Sequence, residues 1–351
     1  MGAIADGFLI YLAGFGKGIE PDPAMWIDEW ADAHMIIPKK SGAAEPGPYR
    51  TDRTPAAREV MRCLSPLHPC RRVVVMGASQ LMKTQVGLNW VGASIHQAPA
   101  NILALLPTNN IAKRVSSRIG ETVRAVPELR ERVAEPRSRD SKNTMDTKEF
   151  DGGTLYITTA GSASNLAEIP ARYVWGDEVD RWDSNVDGEG DPIALAEARA
   201  STFEFNAKIY FSSSPTLEGQ SRIDGLFKEG DQRHYNIACP HCGHAHVLEW
   251  EACRWDALFT EAWFVCPECG AEIHEHHKPQ LLSTGQWIAR APGDGRTVSF
   301  HYPAQYAPLG WLSWLSMARQ YVKAKAALDQ GDQLTKPLAL PKARRVTRRE
   351  G

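Results

Sequence analysis

The chain has 351 residues, 43% of them apolar and 23% charged, with a formal net charge of −2. This is enough apolar material for a large core, but it excludes a global basic field. Any nucleic-acid contact must therefore use a local patch or charge from a partner. No run approaches the ~18 consecutive apolar residues of a membrane helix, and the seven cysteines, an odd number, argue against a disulfide framework.

The opening MGAIADGFLIYLAGFGKGIE has a short apolar run with Asp6 at its start and no basic segment before it, which argues against a signal peptide. Asp6 also stands where an N-myristoylated chain wants Ser or Thr. The segment is read as a short packing helix. WIDEWADAHM (26–35) has helical periodicity, and TPAAREVMRCLS (54–65) is a helix with Thr54 as N-cap and Pro55 at its first position.

Strand and helix then alternate. RRVVVMG (71–77) is a strand, KTQVGLNWVGASIHQ (83–97) a helix, NILALLPT (101–108) a strand and NIAKRVSSRIGETVRAV (110–126) an amphipathic helix. Residues 130–150 show no clear apolar period and are read as a loop. GGTLYITTAG (152–161) and ARYVWGDEVD (171–180) contain strands, DPIALAEARAST (191–202) is a helix and AKIYFSSSP (207–215) a strand. Such alternation predicts an α/β fold, a mostly parallel sheet with helices on both faces. After about residue 235, Cys pairs, His and Trp replace the alternation. PKARRVTRREG (341–351) is basic, without apolar period, and reads as a disordered tail.

Gly77-Ala78-Ser79-Gln80-Leu81-Met82-Lys83-Thr84 has the frame of a phosphate-binding P-loop, between a strand and a helix. Backbone N–H groups and the helix N-terminus suit phosphates. Lys83 would reach the β/γ-phosphates of ATP, and Thr84 would hold Mg²⁺. Met82 departs from the usual Gly before the Lys. An ordinary strand–turn–helix with a surface lysine also meets the frame. Tyr173-Val174-Trp175-Gly176-Asp177-Glu178 is an apolar strand ending in two acids, expected beside the P-loop strand. Asp177 is assigned to Mg²⁺ and Glu178 to the attacking water, against the plainer reading of a solvated strand end. Ser212-Ser213-Ser214-Pro215-Thr216 sits where hydroxyls can sense the γ-phosphate, or is a plain turn.

Cys239-Pro-His-Cys242-Gly and Cys266-Pro-Glu-Cys269-Gly are two CPxCG knuckles separated by 23 residues. Four thiolates complete a closed tetrahedral Zn²⁺ site, hence a structural one. In a reducing compartment paired CxxC motifs mean metal, so the protein reads as cytosolic. Cys253 is read as core, and His241, His244, His246, His274, His276 and His277 as surface residues. A module of about 35 residues needs metal to fold, while the sheet is expected to have its own core and to keep nucleotide binding without zinc.

In this order the motifs resemble the large terminase subunit of tailed phages, the lambda-type GpA family. The likeness runs from YRTDRTP (49–55) through MGASQLMKT, IPARYVWGDEVDRW, SSSPT, both knuckles, LLSTGQW and SFHYPAQY to about residue 327. It implies a P-loop (RecA/ASCE-like) ATPase motor that packages double-stranded DNA into a procapsid in the host bacterial cytoplasm. It also implies Tyr49 and Arg50 as nucleotide-binding residues, and as partners a small terminase subunit, the portal and further copies of the chain. Family members carry a C-terminal RNase H-like nuclease domain. A metal-dependent nuclease needs clustered carboxylates, and after residue 300 the chain holds only Asp329, Asp332 and Glu350. The expectation is therefore a motor fragment or degenerate prophage copy without nuclease activity.

The expected division is a lead-in (1–48), a P-loop ATPase domain (49–235), a zinc-ribbon-like module (236–275), a connecting segment packing on the ATPase domain (276–330) and the tail (331–351). Two other readings stay open. Asp177-Glu178-Val179-Asp180 also fits the DExD box of a superfamily 2 helicase, although no Q-x-x-G-R-x-x-R run follows. A zinc-ribbon DNA-binding adaptor with an inactive P-loop is the non-enzymatic alternative. Arg114, Arg118, Arg172 and Arg199 are all candidates for a catalytic arginine.

Overall fold

The computed structural model describes residues 24–134, 144–162, 169–216 and 219–329; the opening segment and the basic tail lie outside them. Helix α1 (Ile27–His34) and the antiparallel pair β1 (Ile36–Ile37) and β2 (Gly47–Pro48) lead into α2 (Ala57–Leu64). α1 starts with a capping box in which Glu29 Oε2 accepts from Trp26 N–H at 3.1 Å. Its buried Asp28 accepts from Arg62 Nε of α2 at 3.0 Å, which locks the two helices together.

The alternating region gives β3 (Arg72–Gly77), α3 (Lys83–Gln97), β4 (Ile102–Leu106), α4 (Asn109–Ala125), α5 (Pro127–Arg132), β5 (Thr147–Phe150), β6 (Gly153–Thr159) and β7 (Tyr173–Asp177). It continues through α6 (Pro192–Ala198), β8 (Lys208–Ser213), α7 (Arg222–Glu229) and β9 (Arg233–Ala238). The last third adds β10 (Ala245–His246), β11 (Cys253–Trp255), β12 (Ala262–Val265) and β13 (Glu272–His274), then α8 (Lys278–Thr284), β14 (Gln286–Ile288), β15 (Thr297–Tyr302) and α9 (Trp314–Asp329).

One ten-stranded sheet has the order β10-β9-β15-β3-β8-β7-β4-β6-β5, with β14 also on β9. From β9 to β6 all neighbours are parallel; β10, β14 and β5 pair antiparallel at the margins. β4, β7 and β8 are buried along their whole length, as expected of strands covered on both faces. Their side chains alternate between two cores. Val73, Val75, Ala104, Leu106, Tyr173, Trp175 and Tyr210 face the core built with α1 to α5. Val74, Met76, Leu103, Leu105, Val174, Ile209 and Phe211 face the one built with α6 and α7. The α/β sheet with helices on both faces is therefore present.

The structure departs from the sequence reading in four places. The acidic strand β7 is not beside the P-loop strand: β8 lies between them, paired with both. Residues 130–150 are not all loop. Pro127 opens the short α5, and β5 pairs along β6 with only alternate residues, Lys148 and Phe150, buried. Such a half-buried edge strand carries little apolar signal. The 276–330 segment does more than pack on the sheet: β15 runs inside it, paired with β3 along Thr297–Tyr302. The boundary drawn at 235/236 falls within β9, and Cys239, Phe264, Cys266 and Ile273 share a continuous core with Tyr235, Phe300 and Tyr302. Core separation between knuckles and sheet, expected from motif spacing alone, is absent.

Candidate nucleotide site and metal centre

The P-loop follows β3 and precedes α3, at the carboxyl ends of the parallel strands, where open α/β sheets bind ligands. Gly77 is held against β15, with Tyr302 O accepting from Ala78 N–H at 3.1 Å. A Cβ on Gly77 would stand 3.3 Å from the same carbonyl. Ser79 and Gln80 are exposed, and Gln80 takes φ 59° to complete the turn. Met82 is already helical, at φ −50° and ψ −17°, and its side chain is buried in the α3-side core beside the half-buried Leu81. No glycine freedom is needed at this position, which accounts for the departure. α3 then starts with no side-chain cap and no acid in its first turn, whereas Thr108, Asp191 and Ser221 cap α4, α6 and α7. Its N-terminal N–H groups and dipole suit an anion.

Lys83 is 3% exposed. Its Nζ donates to Gly77 O at 3.0 Å, Ala78 O at 2.7 Å and Ser214 Oγ at 2.9 Å, and lies 3.8 Å from Glu178 Oε1. Burial pulls its pKa down, against the carboxylates of Glu178 and Asp177. Asp177, also 3% exposed, accepts from Thr84 Oγ1 at 2.9 Å and from Ser212 Oγ at 2.7 Å. The β7–β8 register sets Asp177 opposite Ser212, which explains the second bond. Glu178 adopts φ 53°, a left-handed conformation rare for a non-glycine residue. Burial pushes its pKa up, Lys83 opposes this and Asp177 adds to it. Arg181 Nε lies 3.4 Å from its Oε2.

The loop after β8 is tied to the acid pair. Asp180 N–H donates to Ser213 Oγ at 3.2 Å. The Asp180 carboxylate accepts from Thr216 N–H (2.9 Å), Thr216 Oγ1 (3.0 Å) and Ile223 N–H in the first turn of α7 (2.7 Å). The sequence offered Asp180 only as the last residue of the helicase-type DExD reading; its ties to Thr216 and Ile223 come from tertiary contacts.

Tyr49 and Arg50, expected to bind nucleotide, make other contacts in the nucleotide-free chain. Tyr49 is buried with its hydroxyl 3.5 Å from Thr54 Oγ1, and burial pushes that hydroxyl up to about 12. Arg50 is exposed, 3.9 Å from Glu45. Neither hydrogen-bonds to residues 77–84 among the described residues.

Beside β9 and β10, at one margin of the sheet, Cys239, Cys242, Cys266 and Cys269 form one cluster. Cys239 and Cys269 sulfurs lie 3.9 Å apart, Cys242 and Cys266 sulfurs 3.8 Å. A tetrahedron with Zn–S bonds of ~2.3 Å has edges of about 3.8 Å, so the four sulfurs fit the ion. The knuckles repeat one another: Gly243 N–H donates to Cys239 O and Gly270 N–H to Cys266 O, at φ 77° and 69°. Cys253 is buried, as expected. His246 is not a surface residue; it is buried, while His241, His244 and His276 are exposed.

No helix among the described residues is long and apolar enough to cross a membrane. Residues 43–287 match the family described as phage terminase large subunit gpA, ATPase domain. Among solved structures, the large terminase of bacteriophage HK97 superposes with a TM-score of 0.52 at 15% identity, covering 90% of this chain and 54% of that one. The ATPase domain of the Thermus phage P74-26 large terminase gives a TM-score of 0.41 at 13% identity, covering 84% and 93%. The chain thus spans about half the length of the HK97 protein, and that likeness is one of fold. No curated protein sequence matches it significantly. Since the family match takes in the P-loop, the acidic strand and both knuckles, the chain belongs to the gpA family of phage terminase large subunits, matched over the ATPase domain.

Proposed function

We propose that the chain is the ATP-hydrolysing motor of a DNA-packaging terminase, driving double-stranded DNA into a procapsid. The observation that carries this is the convergence of Lys83, Thr84, Asp177 and Glu178 at the carboxyl ends of β3 and β7, with Ser212 of the intervening β8 and Ser214 just after it touching them. In this reading Lys83 binds the β- and γ-phosphates. Thr84 and Asp177 hold Mg²⁺, which supplies charge neutralisation at the phosphates when bound. Glu178, raised in pKa, orients the attacking water and accepts its proton. Loss of the γ-phosphate is felt at Ser214 and passed through Asp180 and Thr216 to the first turn of α7. The four cysteines hold Zn²⁺ as a closed structural site. The small terminase subunit, the portal and further copies of the chain are the expected partners, with double-stranded DNA as the cargo.

Phosphate release with and without double-stranded DNA tests the reading. Lys83→Ala is expected to abolish hydrolysis, and Glu178→Gln to retain ATP binding while stopping turnover. Hydrolysis by both variants at the parental rate overturns the motor. ATP-dependent strand displacement on a forked duplex would replace it with the helicase reading.

A further inference from the structure

The amino ends of β3 and β8, away from the P-loop, hold a cluster of reactive groups that the ATPase reading leaves unused. Cys63 lies in the last turn of α2 and Cys70 just before β3. Both thiols are free, 1% and 4% exposed, and His68 sits in the turn between them. The two sulfurs and a His68 ring nitrogen all lie within 4.8 Å of one another. His68 Nδ1 accepts from Cys70 N–H at 3.2 Å. In the neutral ring this leaves the proton on Nε2, 3.9 Å from Cys63 Sγ.

Lys208, the first residue of β8, is 3% exposed and completes the cluster. Its Nζ donates to Cys63 O at 2.9 Å, to His68 O at 2.7 Å and to Cys70 O, which uses all three N–H bonds of an ammonium. Burial pulls its pKa down, and the groups that oppose this are the Cys70 and Cys63 sulfurs. Cys70 Sγ lies 3.8 Å from Nζ. A buried ammonium is costly unless an anion meets it, and the Cys70 thiolate is the anion at hand. The hydrogen bond from the Cys63 thiol draws the Cys70 pKa down; burial opposes this and the ammonium adds to it. The same bond, with burial, pushes the Cys63 pKa up. The pair is therefore one thiolate and one thiol. A divalent ion on these sulfurs would stand beside a fixed positive charge and be repelled, so the cluster suits thiol chemistry better than metal. Cys70, Lys208, His68 and Arg71 line a cleft of about 470 Å³. With Cys70 nearly covered, a reagent close to water in size fits best.

We propose that Cys63 and Cys70 form a peroxide-reactive dithiol, with Cys70 the attacking sulfur and Cys63 the resolving one. The Cys70 thiolate attacks one oxygen of hydrogen peroxide. An S–O bond forms, the O–O bond breaks, and the departing hydroxide takes a proton from solvent, which leaves a sulfenic acid on Cys70. Cys63 sulfur then attacks Cys70 Sγ. The S–S bond forms, the S–O bond breaks, and the departing hydroxide leaves as water with the Cys63 proton. The two sulfurs each give up one electron, and peroxide is reduced to water. In a reducing compartment such a disulfide is transient and is reopened by thiols.

The full chain, supplied with Zn²⁺, is treated with hydrogen peroxide, blocked with an alkylating reagent and digested with trypsin. Cleavage after Arg62 and Arg71 gives one peptide, 63–71, that carries both cysteines. This peptide is expected to lose its two thiol hydrogens, and to regain them with dithiothreitol. The reaction should run roughly 10-fold or more faster than oxidation of Cys253, a buried thiol without an adjacent cation. Cys63→Ser is expected to stop at the sulfenic acid, captured on Cys70 by a 1,3-dicarbonyl reagent. Cys70→Ser is expected to leave Cys63 reduced. Three results overturn the proposal: peptide 63–71 still reduced when Cys253 is oxidised; Cys63 oxidised at the parental rate in Cys70→Ser; or loss of one equivalent of bound metal in both variants, which marks a metal site. Should a variant fail to fold, the parent decides alone, because peptide 63–71 and Cys253 are compared within one digest.

Discussion

The nucleotide site over β3, β8 and β7 and the knuckles that follow β9 are built on opposite terms. At the P-loop, charged groups are partly or wholly buried and the backbone is strained: Lys83 is lowered in pKa, Glu178 is raised and stands at positive φ like the exposed Gln80, and Arg118 keeps an unpartnered nitrogen. At the knuckles, the positive φ values fall on Gly243 and Gly270, where they cost little, and four sulfurs already have the spacing of a closed metal site. Strain and unmatched charge suit a ligand that arrives and leaves. A relaxed, matched set suits an ion that stays. Yet the two regions share one core through β9 and β15, so neither is independent of the other.

The largest expected effect breaks the comparison at the metal site. One Zn²⁺ per chain is expected by elemental analysis, with an apparent binding free energy on the order of 10 kcal/mol. Cys266→Ser, or chelation, is expected to unfold residues 236–275 and also to weaken ATP binding, measured by hydrogen exchange and nucleotide titration. Intact ATP binding beside an unfolded knuckle segment would show that the shared core is not cooperative.

Next comes the P-loop. Lys83→Ala is expected to reduce hydrolysis by roughly 10²–10³-fold or more, about 3–4 kcal/mol of transition-state stabilisation. Its melting temperature is expected to hold, since the ammonium is desolvated and its loss removes a buried charge. A steep fall in stability would assign Lys83 to the fold instead.

A smaller effect sharpens the packing side. Gly87 lies in α3, where Ala is normally the better residue by about 1 kcal/mol. A Cβ there would stand 2.3 Å from the Trp175 ring on β7. Gly87→Ala is therefore expected to destabilise by about 2 kcal/mol through overpacking, read from the denaturant midpoint. A stabilised variant would mean that α3 can shift away from β7 freely.

The smallest effect concerns pH. Burial raises the Glu178 pKa above the ordinary value of 4.5. The ionised form is the one that accepts a proton, so activity is expected to be full above the raised pKa and to fall as pH drops through it. The stability contribution has the opposite sign. Protonation removes a buried charge, so the group destabilises the fold above its raised pKa and relieves it as pH falls towards 4.5. Glu178→Gln should show neither trend; an unchanged pH dependence of stability in that variant would point to another group.

Local chemistry was legible in the sequence, and long-range pairing was not. The P-loop, the acidic pair and the knuckles are set by short spacings, and each strand–helix alternation carried its own apolar period. β15 carries a strand's alternation, with Val298, Phe300 and Tyr302 between Thr297, Ser299 and His301, but its place beside β3 was hidden because that partner is far away in the chain. β8 read correctly as a strand, but nothing local says that it inserts between β3 and β7. Arg118 could not be told from Arg114, four residues earlier on the same helix, until tertiary burial separated them. The burial of Tyr49, expected from the resemblance to bind nucleotide, was not legible either, because its partners Met35 and Thr54 come from packing between the lead-in and the turn before α2.

The position of β15 also dictates an order of assembly. Arg72 on the P-loop strand bonds Thr297 at 3.1 Å across 225 residues, and Ala78 of the loop bonds Tyr302. A chain emerging from the ribosome makes the P-loop early but cannot brace its β15 side until Tyr302 has been added. By then both knuckles have been synthesised. Domains fold in the order in which they emerge, and such distant pairing is slow to close. The nucleotide site is therefore finished only after the metal-binding segment exists, and an interrupted chain carries the phosphate loop in an unbraced form.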